Sequence, residues 1–101
     1  MIEIDIYSKY FVIVENEYSF VDDETSTPSD WNFKCNITKY DFKADCKELL
    51  EYLYKLINDE YFSDLIIKEN KIIINIFNPI TGEGDHISII LVRLKDEKGF
   101  I

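Results

Sequence analysis

One stretch of this sequence, residues 41–58 (DFKADCKELLEYLYKLIN), repeats its apolar side chains at helical spacing, while most other patterned stretches alternate with the period of a strand. That imbalance limits the fold more than any other feature. A parallel strand pair needs a crossover of a dozen or more residues, usually a helix, and one helix supplies at most one such connection. The strands are therefore expected to pair antiparallel. On the helix, Phe42, Cys46, Leu49, Leu50, Leu53, Leu56 and Ile57 fall within an arc of about 120°. Asp41 is placed to cap its N-terminus and Asn58 to stop it.

The strand pattern begins at residues 2–8, with Ile2, Ile4 and Ile6 on one face. Residues 10–15 (YFVIVE) are dense in β-branched and aromatic side chains, and 17–21 (EYSFV) are expected to return from a turn at Glu15-Asn16-Glu17. The polar stretch 22–30 (DDETSTPSD) reads as a loop. Residues 31–38 place Trp31, Phe33, Cys35 and Ile37 on one apolar face. After the helix, 64–69 and 71–78 form a hairpin about Asn70, which tolerates positive φ. NPITGEGD is a turn, and 86–94 (HISIILVRL) make a last, buried strand. No repeat or linker divides the 101 residues, so residues 1–101 are read as a single domain. The expected class is α+β: an antiparallel sheet of about five to seven strands with one main amphipathic helix packed on one face.

Composition removes several functions. Twenty acidic residues against 11 basic ones give a net charge of −9, with a single Arg. Direct nucleic-acid binding needs Lys and Arg to displace counterions from phosphate, and an anionic membrane surface would repel this chain. No apolar run approaches the roughly 18 residues of a membrane span. MIEIDIYSKY has neither the basic start nor the apolar run of a signal peptide. Cys35 and Cys46 are too few for a disulfide framework, so a cytoplasmic, reduced setting is expected. Seventeen Ile against one Ala, and 10 Lys against one Arg, are the bias of AT-rich codons, as in a low-GC bacterium, its phage or a plasmid.

Catalytic constellations are scarce. His86 is the lone histidine, and both cysteines lie on apolar faces, which reads as buried thiols. There is no CxxC or HExxH, so no metal or cofactor is expected. Thr81-Gly82-Glu83-Gly84-Asp85 lacks the lysine and following helix of a phosphate cradle. In Asp22–Thr27, Thr27 stands at the glycine position of a calcium loop. The chain is therefore not expected to be an enzyme.

The charge is unevenly placed. Residues 10–33 hold Glu15, Glu17, Asp22, Asp23, Glu24 and Asp30 with no Lys or Arg, interleaved with Tyr10, Tyr18 and Phe20. Aromatic side chains beside carboxylates offer both an anchor and a steering field. On the helix, Asp41, Asp45, Glu48, Tyr52 and Asp59 lie within about 60° of one another beside the apolar arc. Asp59 lies near the negative end of the helix dipole, where a cation is favoured. The expected partner-binding residues are Glu15, Glu17, Tyr18, Asp22, Asp23, Glu24 and Asp30, followed by Asp45, Glu48, Tyr52 and Asp59.

In size, charge, codon bias and architecture the whole chain resembles small acidic bacterial immunity proteins, which neutralise contact-dependent growth-inhibition and other polymorphic toxins. The resemblance implies stoichiometric inhibition of a basic protein partner, a nuclease toxin first among them. Its carboxylates would pair with the Lys and Arg that serve substrate phosphates. One alternative is a phage-encoded nucleic-acid mimic of the anti-restriction or anti-CRISPR kind. Another is a small-ligand-binding or enzymatic domain using Glu83, Asp85 and His86. A third is an oligomerising domain, if the hairpin at 64–78 exposes an apolar edge.

Overall fold

The computed structural model describes residues 7–21 and 33–94. They form β1 (Lys9–Val21), β2 (Phe33–Asp45), α1 (Cys46–Ile57), β3 (Phe62–Lys68), β4 (Lys71–Phe77) and β5 (Gly84–Leu94). The five strands make one sheet in the order β2-β1-β5-β4-β3, and every neighbouring pair is antiparallel. The class is α+β, with one short helix. Among the described residues, no helix is long and apolar enough to cross a membrane. The strand expected at 2–8 lies almost wholly outside the described residues.

β1 runs unbroken through the expected turn at Glu15-Asn16-Glu17. Both of its edges are occupied there: Glu15 lies opposite Lys39 and Ser88, and Asn16 opposite Thr38 and Ile87. A polar tripeptide whose backbone groups are satisfied on two sides has no need to turn. The Lys39 ammonium also lies 3.5 Å from a Glu15 carboxylate oxygen.

The helix starts five residues later than expected. Asp41–Ala44 fit a helix or a strand, since Phe42 and Ala44 are two apart and Phe42 and Cys46 four apart. Pairing with β1 decides for strand, because it sets Phe42 opposite Val12 and Ala44 opposite Tyr10. The cap passes from Asp41 to Asp45. Asp45 Oδ1 accepts from the Glu48 N–H at 2.8 Å, and Glu48 Oε1 accepts from the Asp45 N–H at 3.4 Å. This reciprocal pair is a capping box. Asn58 ends the helix as expected, its N–H reaching the Tyr54 carbonyl.

The core lies on one face of the sheet. Tyr10, Val12 and Val14 of β1, Ile74 of β4, Ile89 of β5 and Leu49 of α1 have their side chains fully buried. Ile72, Ile87, Leu91 and Ala44 complete the cluster, with Phe42, Tyr52, Leu53, Leu56, Ile57, Phe62 and Ile76 packed against it. Burying an aliphatic side chain of this size stabilises the fold by about 1.5–3 kcal/mol. The opposite face carries Ile13, Glu15 and Glu17 from β1, Lys71 from β4, and His86, Ser88 and Ile90 from β5, around a shallow depression of about 180 Å³.

Two further expectations are corrected. Cys35 is exposed, because its register with Ser19 puts it on the sheet face away from the core; Cys46 is buried as expected, and both thiols are free. Trp31, expected beside Cys35, lies outside the described residues. In the β3–β4 hairpin, Glu69 rather than Asn70 takes the positive φ, at 48°. The NPITGEGD segment is the expected turn between β4 and β5. Asn78 Oδ1 accepts from the Ile80 N–H, the Asn78 carbonyl accepts from the Gly82 N–H, and Gly82 takes a positive φ of 77°.

Two measurements check these assignments. Asp45→Ala should lower stability by about 1 kcal/mol in urea unfolding, whereas Asp41→Ala should change it by no more than about 0.5 kcal/mol. Glu69→Gly should raise stability by up to about 1 kcal/mol, because it removes the left-handed strain of a side chain with a Cβ.

Candidate functional site

Strand alternation sorts the polar residues near the β1–β5 end onto two faces. Asp85 and His86 are consecutive in β5, so their side chains point to opposite sides of the sheet. Asp85 sits opposite Tyr18 and His86 opposite Glu17. Glu83, Asp85 and His86 therefore do not converge on one site.

On the face shared with the core, Tyr18, Phe20, Glu83 and Asp85 come together. The Tyr18 and Phe20 rings stack with centroids 5.6 Å apart, and both residues are half-buried. The Tyr18 hydroxyl bonds the Glu83 carboxylate. Partial burial, followed by the charge of Glu83, that hydrogen bond and the charge of Asp85, holds the Tyr18 phenol above its ordinary value of 10.0. Asp85 is anchored from below, where Asn16 Nδ2 donates to its Oδ1 at 3.0 Å. That bond orients the Asn16 amide and leaves its Oδ1 buried without a partner. The arrangement is an aromatic step flanked by two carboxylates, one of them fixed by a buried amide.

On the other face a polar row crosses three strands. Asn75 Nδ2 donates to Asp64 Oδ1 at 2.7 Å, and Asn75 Oδ1 lies 2.5 Å from His86 Nδ1. The carboxylate only accepts, so the amide oxygen faces the imidazole and His86 Nδ1 must donate. Neither Ser88 nor Cys35 is hydrogen-bonded to His86, so no nucleophile–base pair is formed there among the described residues. No group of three or more His, Cys, Asp or Glu among them has metal-binding geometry.

The expected partner-binding residues are dispersed. Glu15 and Glu17 lie on the depression side, while Tyr18 lies on the other. Asp22, Asp23, Glu24 and Asp30 fall outside the described residues. Asp45 and Glu48 serve the capping box. Tyr52 packs edge-on against Phe42 at 5.1 Å and hydrogen-bonds Tyr40. Asp59 Oδ1 accepts from the Tyr61 N–H at 2.9 Å, which gives this carboxylate a local role at the unfavourable end of the helix dipole. The sequence reading missed Glu83 and Asp85 as neighbours of Tyr18. Their one sequence-level signal is the alternation of β5, which shows a face but not the strand beside it.

No known family, curated protein or solved structure matches the chain.

Alkaline titration tests this geometry. In a spectrophotometric titration, the phenol lost in Tyr18→Phe should be one ionising above 10.0, and Glu83→Gln should bring it down towards that value. Burial, then the hydrogen bond to Tyr40, pushes the Tyr52 phenol up as well. Unfolded tyrosines ionise first, so stability should be fully present below about pH 10 and fall as pH rises beyond it. Tyr52→Phe should make that fall shallower in urea unfolding.

Proposed function

We propose that the chain is a stoichiometric protein inhibitor, an immunity-type protein that neutralises a basic partner such as a nuclease toxin. Its contact surface is the acidic and aromatic end of the sheet. One observation carries this reading: the stacked Tyr18 and Phe20 lie beside Glu83 and Asp85, with no described Lys or Arg bonded to either carboxylate. Half-buried aromatics supply apolar contact at small entropic cost, and neighbouring carboxylates steer and hold cationic side chains. The net charge of −9 adds long-range attraction for a basic protein. Asp22, Asp23, Glu24 and Asp30 belong to the segment that joins the end of β1 to the start of β2, so they extend the acidic stretch in sequence. Glu17 adds a further carboxylate on the reverse face of β1.

The reading is tested by affinity capture from a native host lysate at low and high salt. A single basic protein should be retained at low salt and released at high salt. Glu83→Lys combined with Tyr18→Ala should reduce its capture at least about tenfold while circular dichroism is unchanged. Reversal of Asp22, Asp23 and Glu24 to Lys should slow association by a similar factor at low salt. Recovery of no protein, or capture indifferent to these substitutions, would overturn the reading.

A further inference from the structure

Among the described residues, β2 and β3 are the outer strands of the sheet, each with one edge that no described strand pairs, and they differ in what they show to solvent. β2 carries Lys34, Lys39 and Lys43, side chains that deter a further strand from joining. β3 (FSDLIIK) carries three consecutive exposed aliphatics: Leu65 at 39%, Ile66 at 38% and Ile67 at 54%. Alternate residues of β3 also turn their backbone N–H and C=O groups away from β4. Such an edge is a template for another strand.

We infer that β3 pairs antiparallel with β3 of a second copy of this chain, centred on Ile66. Two identical strands paired edge to edge are related by a two-fold axis perpendicular to the sheet, so facing residues lie on the same face. With the axis at Ile66, Asp64 faces the partner's Lys68, Lys68 faces the partner's Asp64, and Leu65 faces the partner's Ile67. Neighbouring registers lose this match. An axis at Leu65 sets Asp64 against Ile66 and Lys68 against Phe62. An axis at Ile67 sets Lys68 against Ile66 and Leu65 against Glu69. Axes at Asp64 or Lys68 bring like charges together.

Two other features agree with this register. Lys68 lies opposite Lys71 within its own hairpin, a like-charge pair, and no carboxylate of the described residues forms an ion pair with it. Asp64 is already held by Asn75 on that same face. The second feature is the helix. Tyr52 points towards β2, where it meets Tyr40 and Phe42. Leu50 and Tyr54 lie about 160° around the helix from Tyr52, on the flank away from β2, and are 41% and 60% exposed. A perpendicular axis keeps both helices on one side of the joined sheet, so these two flanks approach each other above Leu65 and Ile67. The ten-stranded sheet would end in the lysine-bearing β2 at both edges, which closes the assembly at two copies. This inference does not rest on the inhibitor reading and uses none of its residues.

Sedimentation equilibrium of the full chain over a concentration series is the test. The expected result is a concentration-dependent dimer of twice 12.0 kDa. Lys68→Asp alone and Asp64→Lys alone should each weaken dimerisation at least about tenfold, because both set like charges in the seam. An equimolar mixture of those two variants should dimerise as the parent does, since each Asp then meets a Lys. Circular dichroism of each variant shows whether it is folded, and Lys68→Glu replaces Lys68→Asp if the latter is not. A parent that stays at 12.0 kDa throughout the series overturns the proposal. So does a dimer that the single reversals leave intact, or a mixture that does not recover.

Discussion

Strand β1 is hydrogen-bonded along both edges, to β2 from Lys9 to Val21 and to β5 from Lys9 to Ser19. Its pleat turns Tyr10, Val12 and Val14 into the core and Phe11, Ile13, Glu15 and Glu17 to the other side. The other elements take their places from this strand. Pairing with β1 carries β2 through Asp45, so the helix begins at Cys46. Pairing with β5 sets Asp85 beside Tyr18 and His86 beside Glu17. A slip of one residue would exchange the faces, exposing Val12 and Val14 and burying Glu15, which is why this register is strongly determined.

The same pleat divides the chemistry. His86 is bonded through Nδ1 to Asn75, which in turn bonds Asp64, on one face, while Asp85 is held by Asn16 on the other. Much of the local charge is already occupied: Glu15 by Lys39, Asp45 and Glu48 by the helix cap, Asp59 by a turn. Glu83 and Asp85 are engaged too, Glu83 by the Tyr18 hydroxyl and Asp85 by Asn16, and they flank the Tyr18–Phe20 stack. A buried amide oxygen without a bond, in Asn16, stands beneath that group. Such an orphan destabilises a fold by about 1–3 kcal/mol. The visible effect of Asn16 at this position is to orient Asp85.

The two sheet edges divide the surface in a similar way. β2 is long and lysine-bearing, whereas β3 is short and aliphatic on both faces. A sheet with one guarded and one sticky edge is suited to pairing once and then stopping. The proposed dimer seam and the proposed inhibitor surface draw on different side chains.

Much of the fold was legible in the sequence because its determinants are local. The helix periodicity over Leu49, Leu53, Leu56 and Ile57, the β3–β4 hairpin, the turn before β5 and the antiparallel sense of the sheet each follow from residues near one another in the chain. The site was not legible in the same way. Asp41–Ala44 satisfied a period of two and a period of 3.6 equally, and only the facing residues of β1 separated them. Glu15-Asn16-Glu17 has turn composition, yet two neighbouring strands hold it extended. Cys35 alternates with apolar residues, yet it is exposed because its register with Ser19 puts it on the sheet face away from the core. Taken alone, the sequence determined which side chains share a face, since that depends on backbone period. Only the tertiary structure decided which strand lies next to which, and so whether a face is covered or a carboxylate meets an aromatic ring. Those contacts form between segments far apart in the chain, and their free energy belongs to neither segment alone.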